Sequence, residues 1–188
     1  MRIVAGKFGS RRIETRKSND TRPTLDKVRE AVFSSLGGMF EGGCVLDLYG
    51  GSGAVGLEAV SRGFDAAVEC DLNREACAVI RKNIESLHCE DQVTVLCMKD
   101  VKALSVCKQK GMKFDLVYLD PPYAKQQNLM ILQKLVEYGL LNEEADVVIE
   151  SDQKDHFEET IGTLVPLKEK EYGITRITYY KNKGSQIK

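Results

Sequence analysis

A chain of 188 residues with 43% hydrophobic content can bury one ordinary core, and its net charge of −1 commits it to no class of partner. No run approaches the ~18 apolar residues of a membrane span, and the first residues, with Arg2, Lys7, Arg11 and Arg12 close together, lack the apolar stretch of a signal peptide. A single domain spanning 1–188, cytoplasmic and away from the membrane, is the expectation.

The charge is unevenly placed. Residues 1–29 hold nine Lys or Arg against three Asp or Glu, a formal +6 that leaves −7 on the remainder. A basic segment on an acidic body is the asymmetry of an arm that grips a polyanion, although a solvated tail has the same composition. The alternation in Arg2-Ile3-Val4-Ala5-Gly6 and Arg12-Ile13-Glu14-Thr15, interrupted by Lys7-Phe8-Gly9-Ser10, predicts a β-hairpin whose turn is flanked by Arg11 and Arg12. Residues 1–22 are read as this basic arm. A covering helix follows over 23–37: Pro23 suits its first turn, Leu25, Val28, Val32 and Leu36 share one face, and Gly37-Gly38 ends it.

The core is expected over 42–181. Cys44 to Tyr49 reads as a strand, followed by the turn Gly50-Gly51-Ser52-Gly53-Ala54-Val55-Gly56 and a helix through Leu57, Ala59 and Val60. Such a turn brings backbone N–H groups close to a ligand that no side chain crowds. Gly51-x-Gly53-x-x-Gly56 formally matches the dinucleotide fingerprint, with Glu69 and Asp71 at about the right distance, but alone the match is weak. Three details favour S-adenosylmethionine over NAD. Asp47 suits a methionine ammonium and would repel a pyrophosphate; the strand begins only after a basic arm and a helix; and an amine-binding Asp-Pro-Pro-Tyr lies at the end of the fourth strand. No Gly-Lys-Ser/Thr follows the turn, which excludes a P-loop.

The α/β alternation continues. Asp65 to Cys70 is the second strand, and an acidic residue at its end would take the ribose hydroxyls, with Glu69 the first choice and Asp71 the second. Asn73 caps a helix presenting Ala76, Ile80, Ile84 and Leu87 to the core. Gln92 to Cys97 is the third strand and leads to Asp100, either a partner of the adenine amine, a helix N-cap, or both. Six cysteines include no C-x-x-C pair, and only His88 and His156 offer imidazole, so neither a metal site nor a disulfide framework is expected. Cys44, Cys70 and Cys97 fall in or beside strands, where cysteine serves as a small core residue.

Phe114 to Leu119 is the fourth strand, short and rich in β-formers, and Asp120-Pro121-Pro122-Tyr123 stops it. Two consecutive prolines supply no backbone donors, so the nearby carbonyls look outward for partners. An exocyclic amino group of a nucleobase fits, held by the Asp120 carboxylate and the Pro121 carbonyl with Tyr123 stacked on the ring. This tetrapeptide resembles the motif shared by amino-methyltransferases; alone, a strand-end turn without chemistry explains it as well. A helix through Leu129, Leu132, Leu135 and Val136 follows, then a fifth strand Asp146 to Glu150, a weakly patterned helix over 152–162, and a hairpin of 164–171 and 174–181 joined at Tyr172-Gly173. The hairpin reverses one strand of an otherwise parallel sheet.

In order, Met1-Arg2-Ile3-Val4-Ala5-Gly6, Arg22-Pro23-Thr24-x-Asp26-x-Val28-Arg29-Glu30-Ala31-Val32-Phe33, Asp47 to Gly53, Val68-Glu69-x-Asp71 and Asp120-Pro121-Pro122-Tyr123 together resemble the RsmD-like family of bacterial 16S rRNA guanine-N2 methyltransferases, over nearly the whole chain. Tyr49-Gly50 stands where the family usually shows Phe-Ala. The resemblance implies an α/β, Rossmann-like class I methyltransferase: a mostly parallel seven-stranded sheet with one antiparallel strand plus the N-terminal hairpin arm. It implies S-adenosylmethionine on Asp47, Tyr49, Gly50, Gly51, Ser52, Gly53, Glu69, Asp71, Asp100, Val101 and Thr24, with no metal. Asp120, Pro121 and Tyr123 become the catalytic residues, and Arg2, Lys7, Arg11, Arg12 and Arg22 the RNA contacts of a monomer acting on 16S rRNA, naked or in a partly assembled small subunit. The alternatives are an amino-methyltransferase of DNA adenine N6 or protein glutamine, disfavoured by the lack of a target-recognition domain, and a non-catalytic nucleotide-binding module.

Overall fold

In the computed structural model of the protein, residues 1–16, 23–121 and 125–184 are described. Arg22 and Tyr123 lie outside the described residues, as does the side chain of Thr24. In chain order the elements are α1 (Pro23–Ser35), β1 (Cys44–Asp47), α2 (Ala54–Ser61), β2 (Ala66–Asp71), α3 (Arg74–Ser86), β3 (Val93–Cys97), α4 (Asp100–Gln109), β4 (Phe114–Leu119), α5 (Lys125–Glu137), β5 (Leu141–Asp152), β6 (Leu164–Tyr172) and β7 (Thr175–Asn182). The strands form a seven-stranded sheet in the order β3-β2-β1-β4-β5-β7-β6, with β7 antiparallel to both of its neighbours. The chain forms two compact units, Met1–Lys99 and Asp100–Lys188.

In the first unit β1, β2 and β3 pair in parallel, with Asp47 opposite Glu69 and Asp71 opposite Cys97. Val45, Leu46, Val68 and Cys70 are buried, the near-continuous apolar run of strands covered on both faces. Cys97 departs from the expectation of a core cysteine: it is exposed at the last position of β3. Helix α3 follows its sequence pattern. The Asn73 side chain accepts the N–H groups of Glu75 and Ala76 at 2.8 and 3.0 Å, and Ala76, Ile80, Ile84 and Leu87 are all buried. Helix α1 buries Val28, Val32 and Phe33, and is followed by Gly37 and Gly38 at φ of 128° and 83°, which a side chain would strain.

The arm keeps a hairpin shape without a strand ladder. Its one bridge pairs Arg2 with Arg12, and Ile3 N–H donates to the Arg11 carbonyl at 2.9 Å. The reason lies in α2. Glu58, fully buried, accepts the N–H groups of Val4 and Ala5 at 2.8 and 3.1 Å, taking donors that a ladder would use. The same carboxylate receives Arg29 Nε and Arg62 Nε, each at 3.0 Å. Arg29 also donates to the Arg2 carbonyl and to Asp26, and Arg62 to Glu30 at 2.5 Å and the Gly38 carbonyl at 2.8 Å. Ser61 adds its hydroxyl to the Phe8 N–H and Ala5 carbonyl, and Ile3 and Ile13 go into the core.

In the second unit, β4 and β5 are parallel, with an irregularity between Phe114 and Leu116. Strand β5 starts earlier than the apolar run Asp146 to Glu150 suggests, because Phe114 pairs with Leu141 and the Asn182 amide holds the Asn142 carbonyl at 2.8 Å. Strands β6 and β7 form the expected hairpin, turning at Gly173 with φ of 62°. The helix expected over 152–162 is not there. The Asp152 carboxylate accepts the Lys154 N–H at 3.0 Å, Gln153 N–H donates to the Ile174 carbonyl at 2.8 Å, and Arg176 Nε holds the Gln153 carbonyl at 2.9 Å. These contacts take the backbone groups a first helical turn would need, and Phe157 anchors the stretch in the core without a helical stripe around it.

Removing one member of a buried ion pair leaves its partners uncompensated. Glu58→Ala is therefore expected to destabilise the protein by about 3–5 kcal/mol, the range for broken buried pairs. Urea denaturation measures it, and a loss below ~1 kcal/mol would show that the network is dispensable.

Candidate active site

The glycine-rich turn is shaped by what lies beneath it. Asp47 and Glu69, opposite one another on β1 and β2, are 2% and 0% exposed. A Cβ on Gly56 would stand 2.0 Å from Glu69 Oε1, and one on Gly50 would stand 2.6 Å from Oε2, so the turn closes over the carboxyl only as glycine. Gly51 and Gly53, at φ of 60° and 83°, answer to the backbone instead. Gly51 also faces open space: a Cβ there would meet nothing within 4 Å. Gly53 caps α2 with no side chain of its own, and a helix start of this kind presents N–H groups to a ligand.

Burial, and secondarily the charge of Asp47, pushes the Glu69 carboxyl well above its ordinary value. Asp47 is raised to about 6, again chiefly by burial. The Gly56 N–H lies near enough to the Glu69 carboxyl to oppose the rise, but neither Glu69 oxygen receives a well-formed hydrogen bond from the described protein groups. Two adjoining carboxyls satisfy one another when they share a proton, with Glu69 O–H donating to Asp47. Asp47 is further supported by the N–H groups of Gly56 and Tyr49.

This corrects the first choice for the ribose. Glu69 sits beneath the turn and offers no surface to a ligand, because the glycines of the turn pack directly on its oxygens. Asp71, the second choice, stands at the end of β2, half-buried, with its carboxylate accepting Gly51 N–H and Asn73 N–H at 2.9 Å each. Leu72 beside it is 65% exposed, an apolar surface that the sequence pattern did not single out. Tyr49, Gly50 and Ser52 are half-buried around the same turn. In the second unit, Asp100 is the first residue of α4, and its carboxylate accepts the Val101 N–H at 2.7 Å.

Asn83 is a positioning residue that sequence reasoning missed. It is 1% exposed on α3, and its amide donates to the carbonyls of Ser52 and Glu14 at 2.9 Å each while its oxygen accepts the Glu14 N–H at 2.7 Å. The turn and the arm are thereby tied to one side chain. Within the arm, Lys7 Nζ donates to Gln92 at 2.6 Å and Arg11 to the Ser86 carbonyl at 2.8 Å, while Arg2 and Arg12 are exposed. The signal for Glu58 was legible in principle: it is a lone charge in the otherwise apolar helix Ala54–Ser61.

On β4, Phe114, Leu116, Val117, Tyr118 and Leu119 are buried, and Asp120 emerges exposed immediately after them, with Pro121 half-buried. Tyr118 O–H donates to Glu150 on β5 at 2.8 Å. Burial raises the Glu150 carboxyl, and this bond opposes the rise.

A family model described as "Conserved hypothetical protein 95" matches residues 1–181. The chain belongs to this family, the RsmD-like proteins. Members similar to it include YlbH of Bacillus subtilis (strain 168), 34% identical over 184 residues, 98% of this chain and 100% of that one. The protein named ribosomal RNA small subunit methyltransferase D of Escherichia coli (strain K12) is 32% identical over 152 residues, 81% of this chain and 75% of that one. The solved structure of yhhF from Escherichia coli superposes with a TM-score of 0.85 at 25% identity, covering 98% of this chain and 99% of that one. The fold of this RsmD-like chain is that of the class I methyltransferases. Among its described residues, no helix is long and apolar enough to cross a membrane.

The carboxyl pair carries a pH signature. Folding raises both groups above their unfolded values of 3.8 for Asp47 and 4.5 for Glu69, so the folded state holds more protons. Their contribution is complete below those values and is lost as pH rises, through about 6 for Asp47 and further for Glu69. Glu69→Gln, which donates a hydrogen bond at every pH, is expected to flatten the fall in Tm between acid and neutral solution. Melting curves across that range check it, and parallel slopes for the two proteins would contradict it.

Proposed function

We propose that the protein transfers a methyl group from S-adenosylmethionine to the exocyclic N2 of a guanine in 16S rRNA, acting on naked RNA or a partly assembled small subunit. The observation that carries this reading is Asp120, exposed just past a strand whose last four residues are buried and followed by the half-buried Pro121, in a chain that also carries an open glycine turn beside a carboxylate. The relatives named as small-subunit rRNA methyltransferases support small-subunit rRNA as the substrate.

The first unit fits the cofactor. Gly51 leaves room for a ligand against the turn, Asp71 suits a pair of ribose hydroxyls, the exposed Leu72 suits the adenine face, and the bare N-terminus of α2 suits the methionine carboxylate. The ammonium would be held near Asp47, whose charge the shared proton with Glu69 stabilises. When bound, S-adenosylmethionine supplies an electrophilic methyl on a sulfonium.

What the chain contributes at the acceptor is positional and electrostatic. A guanine N2 lone pair is delocalised into the ring. Asp120 and the Pro121 carbonyl would accept its two N–H bonds, turn the lone pair toward the methyl, and stabilise the positive charge as the C–N bond forms and the C–S bond breaks; N2 then sheds a proton. Arg2, Lys7, Arg11 and Arg12, exposed on the docked arm, supply phosphate contacts.

Purified protein, S-adenosylmethionine and small-subunit rRNA lacking the modification are expected to yield N2-methylguanosine on nucleoside analysis. Asp120→Ala should abolish the product while calorimetry still finds the cofactor bound. Asp71→Ala should weaken cofactor binding by about 1.5–3 kcal/mol, the range for hydrogen bonds to charged groups. Near-normal turnover by Asp120→Ala, or a methylated base other than guanine, would overturn the reading.

A further inference from the structure

Glu150 has no part in the chemistry described so far, yet it lies beside the acceptor motif in the same unit. The β4–β5 register runs Val117↔Val147, Tyr118↔Val148, Leu119↔Ile149; beyond that last pair the chain continues to Asp120, just past the end of β4, and to Glu150 on β5. Adjacent strands lie roughly 4.7–4.9 Å apart, and partners in a parallel pair project to the same face. The bond from Tyr118 O–H to Glu150 shows which face that is, and Asp120 is two residues on from Tyr118. Glu150 is half-buried, and one oxygen of its carboxyl, Oε2, is engaged by the Tyr118 hydroxyl.

We infer that Glu150 is the base-selecting residue, accepting the N1–H of guanine while Asp120 accepts the neighbouring N2–H. This rests on the acceptor reading of Asp120 given above. The chemistry is a match of edges. Guanine presents N1–H and the N2 amine side by side, two adjacent donors for two adjacent carboxylates, which are acceptors only when ionised. Adenine presents its amine beside the N1 lone pair, and a carboxylate facing that lone pair finds no proton to accept. An enzyme with Asp120 alone would bind either amine; with Glu150 beside it, the wrong base leaves a partly desolvated carboxylate unpaired, the situation in which discrimination is largest. The Tyr118 hydroxyl orients Glu150 from below, and as a donor it favours the ionised form that an N1–H requires.

The test uses the intact protein and two forms of the RNA that differ at the accepted position, mapped beforehand with the wild-type enzyme. One carries guanosine, the other 2-aminopurine ribonucleoside, which keeps the 2-amino group but has a lone pair at N1. Wild type is expected to favour guanosine in kcat/KM by roughly 10- to 150-fold, the span for a hydrogen bond to a charged group. Glu150→Ala should bring the two within about threefold, chiefly through loss on guanosine, and Glu150→Gln, whose amide oxygen still accepts, should keep an intermediate preference. Tyr118→Phe removes the orienting hydroxyl without opening a cavity and should lower the ratio part-way. Calorimetry with S-adenosylmethionine should give wild-type affinity for each variant. Equal losses on both RNAs, or a wild type that does not discriminate, would overturn the role of Glu150 alone. Should Glu150→Ala fail to fold, an unchanged ratio in both Glu150→Gln and Tyr118→Phe does the same. Absence of N2-methylguanosine from the wild-type reaction would overturn the acceptor reading itself, and this inference with it.

Discussion

The carboxylate of Glu58 is the point on which the first unit depends. Two backbone N–H groups of the arm and the guanidinium groups of Arg29 on α1 and Arg62 just after α2 converge on one fully buried side chain. Such a charge is tolerated in a core only when its lone pairs are filled, and here four donors fill them. The arrangement fixes the arm's backbone, so its exposed cations are presented from a docked segment. For the RNA contacts proposed for these cations this matters, because a loose tail would have to be ordered on binding, and that ordering costs binding free energy. The arm also reaches the glycine turn, through Asn83, which holds Glu14 and Ser52 together. Segments far apart in sequence thus share a small set of polar side chains.

Beneath the turn the constraint is of another kind. Asp47 and Glu69 are both buried, and both would carry charge in water. A shared proton is the cheapest way to keep them there, and it leaves one negative charge on the pair. The glycines are a consequence of this packing, since Gly50 and Gly56 rest on Glu69 itself. The proposed cofactor end thereby combines a glycine-rich turn, a helix start with no side-chain cap and the carboxylate of Asp71 at the strand end, while the proposed acceptor end needs a buried strand that delivers Asp120 beyond its last buried residue. Neither end calls on the cysteines: Cys77, Cys89 and Cys107 are buried, and burial raises each thiol.

Much of this was legible in the sequence because local chemistry dictated it. Runs such as Cys44 to Asp47 and Phe114 to Leu119, the Asn73 cap and the glycine turn each specify their own conformation, and their order specifies an α/β sheet with a reversed strand. The failures occurred where a distant group decided the outcome. The ribose acid cannot be chosen between Glu69 and Asp71 by spacing, since only the packing of Gly56 shows that Glu69 is covered. The arm's alternation predicts a ladder, but Glu58, some fifty residues away, takes its donors. The segment after β5 has helix-compatible residues, yet Arg176 and Ile174 on the far side of a hairpin claim its backbone. The pairing of Tyr118 with Glu150 likewise requires a strand register that no sequence period reveals.

The reaction proposed for this chain is methyl transfer to a guanine amine of small-subunit RNA. Mass spectrometry of ribosomal RNA nucleosides from a strain lacking the gene addresses that most directly. Loss of one N2-methylguanosine from 16S rRNA, restored by the wild-type gene and not by Asp120→Ala, is the predicted result. An unchanged set of N2-methylguanosines, or a loss confined to another base or another RNA, would contradict it.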